Sequence, residues 1–356
     1  MLVPLCRRVA LRYDVTDRPR NGKLHSRVTP CLGGVAILLT ALAVSAFVPK
    51  WSAEGVGIVA GAVVVGLVGL VDDVRSLGPG FRLVMETLAA TIAFLLGARV
   101  HLVGDVGDWA LTVAWIVVLT NSFNLLDNMD GAAAVVASVT AVALTVAAAL
   151  GGQVLVAEVA VVVAGCAVGF LVYNWHPARI FMGDAGSLFL GFMLSSLALK
   201  LRFSTGHVSG LVAVVFLAGP ALFDTVLVVV SRTRSGRNIF SGGTDHTSHR
   251  LMRMGLTPRS VAAILALVAG LSGAFGVLVG RGTLAPWVVL PSALIAAVLL
   301  GLLLTEPPEA AVMVEAPERE QRNGRRVVVP LWARLQNDAP SAPASVAHEP
   351  EVDLSI

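Results

Sequence analysis

Charge is scarce in this sequence. Asp, Glu, Lys and Arg make up 14% of its 356 residues, against 56% hydrophobic residues and a mean hydropathy of +0.81. Soluble domains carry about 25% charged residues, so an ordinary water-soluble fold is excluded. Cysteine is scarcer still. Cys6, Cys31 and Cys166 are scattered and odd in number, which removes a disulfide framework and a zinc site. The net charge of +3 is too small to point to nucleic acid. The apolar runs do not alternate with polar residues, which argues against a membrane β-barrel. No cleavable signal stands at the start. Residues 1–12 are a short apolar stretch ending in basic residues, and they read as the end of a first helix truncated at its beginning.

What is present is a series of long apolar runs, near 32–49, 55–71, 82–98, 109–123, 131–150, 154–172, 185–199, 208–230, 260–279 and 285–304. A hydrocarbon core needs about 20 such residues per helix, and backbone groups in lipid must bond within their own segment. The expectation is an all-α, polytopic integral membrane protein with about ten transmembrane helices in residues 1–304, two of them (109–123 and 185–199) short. Residues 305–356, rich in Pro, Glu, Ala and Ser, read as a disordered cytoplasmic tail. Within it Arg325 to Gln336 could lie on the membrane surface.

If the runs cross alternately, the connecting segments on one side carry 16 Lys and Arg, and the other side carries Lys50, Arg99, Lys200, Arg202 and Arg281. The richer side is expected in the cytoplasm, in a multi-pass protein of the plasma (inner) membrane. Every cluster of acids belongs to that side, and carboxylates at the edge of hydrocarbon suggest a site before they suggest packing.

Asp72-Asp73 ends one run, where acid opposes the helix macrodipole, so simple capping has the wrong sign. Two adjacent carboxylates can hold a divalent cation, or one can act as a base while the other holds it. Asn124, Asp127 and Asp130 recur every three residues and share a face if helical, offering acceptors to a base or a sugar. The plain alternative is a polar turn relaxed by Gly131. Asp184 sits between Gly183 and Gly186 at the start of the next run, where free N–H groups suit phosphate and the carboxylate could carry a bridging metal. Phe181 could stack on a nucleobase or bury itself at the interface. His246, His249 and Arg250 follow Asp245 in the longest loop. No third ligand supports a zinc site there, and holding phosphates suits them better. Lys23 and His25 precede the first full run, as a basic anchor or a substrate contact. Asp224, after Pro220, pairs internally or marks a bend, while Glu86 and Glu158 are lone acids without an evident role.

Together these residues resemble the polyprenyl-phosphate N-acetylhexosamine-1-phosphate transferases, glycosyltransferase family 4. The likeness covers about residues 15–255. It comprises Lys-x-His with Pro-x-x-Gly-Gly, Asp-Asp, Asn-x-x-Asp-x-x-Asp-Gly, Phe-Met-Gly-Asp-x-Gly-Ser, Pro-x-x-x-Asp-Thr and a histidine loop ending in Arg250. The resemblance implies transfer of a sugar 1-phosphate from a UDP-sugar to polyprenyl phosphate, with release of UMP and a requirement for Mg2+ (or Mn2+). It implies Asp184 as metal ligand, and Asp72 or Asp73 as the group that deprotonates or orients the lipid phosphate. Asn124, Asp127 and Phe181 would line a uridine pocket with Asp130 beside them, and His246, His249 and Arg250 would grip the diphosphate or sugar. A homodimer is compatible with it. Three departures stand out: Asn128 replaces a glycine, Ser248 replaces a middle histidine, and the first helix is short. The segment Gly236 to Ser241 resembles the N-acetylglucosamine branch rather than the muramoyl-pentapeptide branch. An ion-coupled transporter is the competing class, but it would place acids at mid-membrane between inverted repeats, and no repeat is visible.

Overall fold

Continuously apolar segments in lipid can satisfy their backbones only as helices, and the computed structural model, which describes residues 2–18 and 28–305, is built almost wholly of them. Lys23, His25 and the tail from 306 onward lie outside the described residues. Helix α1 (Leu2–Arg12) leads through the two-residue strand β1 (Thr16–Asp17), which pairs antiparallel with β2 (Thr29–Pro30). Then follow α2 (Gly33–Ser45), α3 (Ala53–Val74), α4 (Pro79–Leu95), α5 (Asp105–Leu126), α6 (Ala132–Leu150), α7 (Val154–Asn174), α8 (Gly183–Lys200) and α9 (His207–Arg234). The short α10 (Thr247–Arg253) precedes α11 (Pro258–Gly280), and a single 3-10 turn, Pro286–Val288, opens into α12 (Val289–Thr305). Starts follow local chemistry: Ser52 and Thr257 accept the N–H groups of Gly55 and Ser260, and Pro79 and Pro258 occupy first-turn positions.

Each of the ten apolar runs is helical, and the chain is a multi-pass membrane protein. Among the described residues seven helices are long and apolar enough to cross a bilayer by themselves: α3, α5, α6, α7, α9, α11 and α12 counted from Pro286. The other three, α2, α4 and α8, have 13, 17 and 18 residues. For α8 the physical reason is plain. Every residue from Ala185 to Ala198 is buried, so this helix is surrounded by protein and need not offer an apolar face to lipid. It is the hub of the bundle, packed chiefly on α3, α5 and α2. Helices in lipid gain little from hydrophobic exclusion, so close backbone approach and interhelical hydrogen bonds do the joining. A Cβ at Gly69 of α3 would collide with the Asp184 carbonyl of α8, and the Trp115 indole of α5 donates to the Ser195 carbonyl at 3.1 Å.

Polar ties gather at the two ends. At one end Lys200 pairs with Glu54 and Gln153 exchanges hydrogen bonds with Arg202. The other end holds the acid clusters.

Candidate active site

The acid cluster is made where helix ends meet. Asp73 closes α3, but its carboxylate serves another helix: it accepts the N–H groups of Asp184 at 2.8 Å and Ala185 at 3.1 Å, capping the start of α8. The macrodipole objection therefore disappears, because the acid faces a neighbour's N-terminus. Gly183 makes this possible. Its φ of +71° suits glycine, and a Cβ there would stand 2.6 Å from Asp73 Oδ2. Asp72 points elsewhere, accepting the Leu77 N–H and, at 2.8 Å, Nη1 of Arg82. The same Nη1 reaches Asp184 Oδ2 at 2.5 Å, so one guanidinium nitrogen joins the two carboxylates. Asn124, in the last turn of α5, gives one amide hydrogen bond to Asp184 Oδ1 at 2.8 Å and another to Ser187 Oγ at 3.0 Å. One turn along α4 from Arg82, the buried Glu86 accepts from Asn121.

Asp127 follows the last turn of α5, its N–H donating to the Asn124 carbonyl at 3.2 Å, while its carboxylate has no hydrogen-bond partner among the described residues. Desolvation, with Asp184, Asp73 and Asp130 close by, pushes its pKa up to about 8. Asp130 is engaged through one oxygen: its Oδ2 accepts from His176 Nδ1 at 2.8 Å and from the Ala178 N–H at 2.9 Å. That oxygen ties down the turn before Phe181. Asn174 does similar work, accepting from the Gly131 N–H and donating to the Ile180 carbonyl. Phe181 is half-buried beside this turn, its backbone joined to Pro30 and Gly33.

The histidine loop is anchored from two sides. Asp224, buried in α9, takes His246 Nδ1 at 2.8 Å and the Thr247 N–H at 2.7 Å, so it pairs internally. Ser248 lies 2.5 Å from Asn128 and 3.2 Å from His249 Nδ1. The two imidazole rings sit 5.7 Å apart. Arg250, expected to grip substrate, turns into the protein. It is buried, and its guanidinium is committed to the carbonyls of Asp245 and Leu303 and the hydroxyl of Ser231. Asp245 in turn is salt-bridged by Arg232 and Arg237; desolvation would raise its carboxyl, but these two hold it below the usual range.

The structure thus brings Asp72, Asp73, Asn124, Asp127 and Asp184 together, sets Asp130 and Phe181 beside them, and links His246 and His249 to the same end through Asp224 and Asn128. Sequence reasoning missed Arg82, which had counted only as loop charge. A signal existed: a cation in a helix's first turn opposes the macrodipole as surely as an acid in the last.

Among the described residues no three His, Cys, Asp or Glu side chains form a metal cage. Mg2+ does not require one, since it takes one or two carboxylates and fills its octahedron with water and phosphate oxygens. Asp72 and Asp184 converge on a single cationic nitrogen, and Arg82 leaves its buried Nε without a partner while bridging them. The donor set of this pair fits Mg2+ or Mn2+.

The fold is a multi-pass helical bundle with carboxylates, an amide and histidines collected at one end. The chain belongs to glycosyl transferase family 4, which matches residues 56–202, from α3 through α8. It is 32% identical over 279 residues to a Bacillus subtilis protein named a probable undecaprenyl-phosphate N-acetylglucosaminyl 1-phosphate transferase, covering 75% of this chain and 78% of that one. The decaprenyl-phosphate N-acetylglucosaminephosphotransferase of Mycobacterium tuberculosis H37Rv is 32% identical over 311 residues, 76% of each chain. The undecaprenyl-phosphate alpha-N-acetylglucosaminyl 1-phosphate transferase of Escherichia coli K12 is 24% identical over 336 residues, 90% of this chain and 91% of that one. The histidine loop lies beyond the matched family segment.

Proposed function

We propose that this protein transfers N-acetylglucosamine 1-phosphate from a UDP-linked donor to polyprenyl phosphate, releasing UMP, at the cytoplasmic end of the bundle. The observation that carries this is the Asp72–Arg82–Asp184–Asn124 constellation beside the Asp127 carboxylate. An oxygen of the lipid phosphate attacks the sugar-side phosphorus, and the bond from that phosphorus to the oxygen bridging to UMP breaks. Bound Mg2+, held by Asp184 and Asp72, would neutralise charge on the diphosphate and its leaving group.

The remaining roles belong to the chain itself. Asp73 gives both oxygens to backbone N–H groups at the start of α8, whereas Asp72 is joined to the Arg82 guanidinium, so of the adjacent acids Asp72 is the one beside the charged groups that would meet the lipid phosphate. Arg82 adds a fixed positive charge where phosphates gather. Asn124 holds Asp184 in place. Asp127 is free to accept from the nucleotide, and Phe181 offers a ring at the edge of the same crevice. The cytoplasmic orientation rests on the Lys and Arg distribution, and it gives a soluble nucleotide and a lipid phosphate a shared edge.

The test uses the purified full chain in lipid nanodiscs with UDP-N-acetylglucosamine, polyprenyl phosphate and Mg2+. UMP and a lipid-linked diphosphosugar should form in equal amounts, and chelation should stop both. The muramoyl-pentapeptide donor should give neither. Absence of UMP with every UDP-sugar would reject the reading.

A further inference from the structure

Two of the three departures from the family pattern, Asn128 and Ser248, are 120 positions apart and in contact. The proton positions between them follow from donor and acceptor chemistry alone. Asn128 Nδ2 donates to the Leu125 carbonyl at 2.8 Å. A carbonyl only accepts, so the amide nitrogen must face Leu125 and the amide oxygen must face Ser248. Ser248 Oγ lies 2.5 Å from that oxygen, which also only accepts, so the single hydroxyl hydrogen is committed there. Ser248 Oγ then meets His249 Nδ1 at 3.2 Å with no hydrogen left to give. The histidine must supply it. Burial first, then His246 and Arg253, lower the pKa of His249 to about 3, so the ring is neutral and carries one N–H. With that hydrogen on Nδ1, Nε2 is a bare lone pair, and no hydrogen bond to it exists among the described residues.

We infer that Asn128 and Ser248 are positioning residues that hold His249 in its Nδ1–H form, so that Nε2 accepts a hydrogen bond from a hydroxyl or amide N–H of the donor sugar. A phosphate oxygen offers this nitrogen only lone pairs, so His249 reads the sugar and not the diphosphate. His246 is arranged differently, with its Nδ1 on the Asp224 carboxylate. The tautomer stands on geometry. Its use in sugar recognition rests on the proposed transferase reading.

Ring-15N-histidine labelling of the full chain in detergent decides the tautomer, with the His249 signals assigned by their loss in His249→Gln. The wild type should show a protonated-type Nδ1 and a bare-type Nε2. In Asn128→Ala the serine hydroxyl is free to turn and donate to Nδ1, and the Nε2–H form should gain population. Ser248→Ala, which removes the acceptor itself, should lose the same bias and serves if the first variant folds poorly. In parallel, Asn128→Ala should raise KM for UDP-N-acetylglucosamine roughly three- to tenfold with kcat little changed. An Nε2–H ring in the wild type, or the same tautomer in wild type and variants, overturns the relay. A shifted tautomer with unchanged KM overturns the sugar contact. A wild type that releases no UMP from any UDP-sugar defeats the transferase reading, while the labelling still decides the relay.

Discussion

Replacing Arg82 with Met keeps the stem and removes the charge that joins Asp72 to Asp184. Their bonded oxygens lie 2.8 and 2.5 Å from one nitrogen, hence at most about 5.3 Å apart, and at an effective dielectric of about 20 two bare charges there repel by about 3 kcal/mol. A divalent ion restores the balance and, in the variant, has no guanidinium to displace. At 100 times its dissociation constant it returns about 2.7 kcal/mol. The assay is thermal unfolding in detergent, followed by tryptophan fluorescence, with chelator or with Mg2+. Without metal, Arg82→Met should melt several degrees below the wild type. With Mg2+ the gap should narrow, because the Mg2+-induced rise in Tm is larger in the variant. An equal or smaller rise would refute the placement of the ion between Asp72 and Asp184.

Asp184→Asn should lower UMP release by orders of magnitude while leaving the amount of folded protein nearly unchanged, since shape is kept and a metal-binding charge is lost. Asp73→Ala should cost about 1–2 kcal/mol of stability by uncapping α8, visible as a lower Tm. Arg250→Lys should likewise lower Tm rather than raise KM for the nucleotide sugar, because one ammonium cannot reach the carbonyls of Asp245 and Leu303 together with Ser231. For orientation, cysteines placed at Ser76 and Ser241 should resist an impermeant thiol reagent added outside intact cells, whereas one at Gly152 should react; the reverse pattern would invert the bundle.

Much of this was legible from residue order. Apolar run length located the helices, and acids at run ends located the cluster, because lipid penalises misplaced polarity severely enough to leave a trace in sequence. What escaped was partnership. Asp73 looks like a carboxylate at the wrong end of its own helix, and only the meeting of α3 with α8 turns it into a cap. Arg250 carries the same charge whether it faces phosphate or backbone carbonyls, and sequence cannot separate the two. Asn128 and Ser248 register singly as departures, and a contact spanning 120 positions has no local signature. The shortness of α8 was visible, but its cause, burial on every side, belongs to the assembled bundle.

That burial bears on how the protein is made. A helix whose Ser187, Ser195 and Ser196 all face protein is a poor resident of bare lipid. Its principal neighbours, α2, α3 and α5, all precede it in the chain. During synthesis from the N-terminus the slot is therefore lined before its occupant emerges, and α8 can pass from the insertion machinery directly into protein. Helix α12 has no buried residue and needs no such berth. Biogenesis and catalysis would then share one event, for the arrival of α8 is also what delivers Asp184 to Asp72 and Arg82.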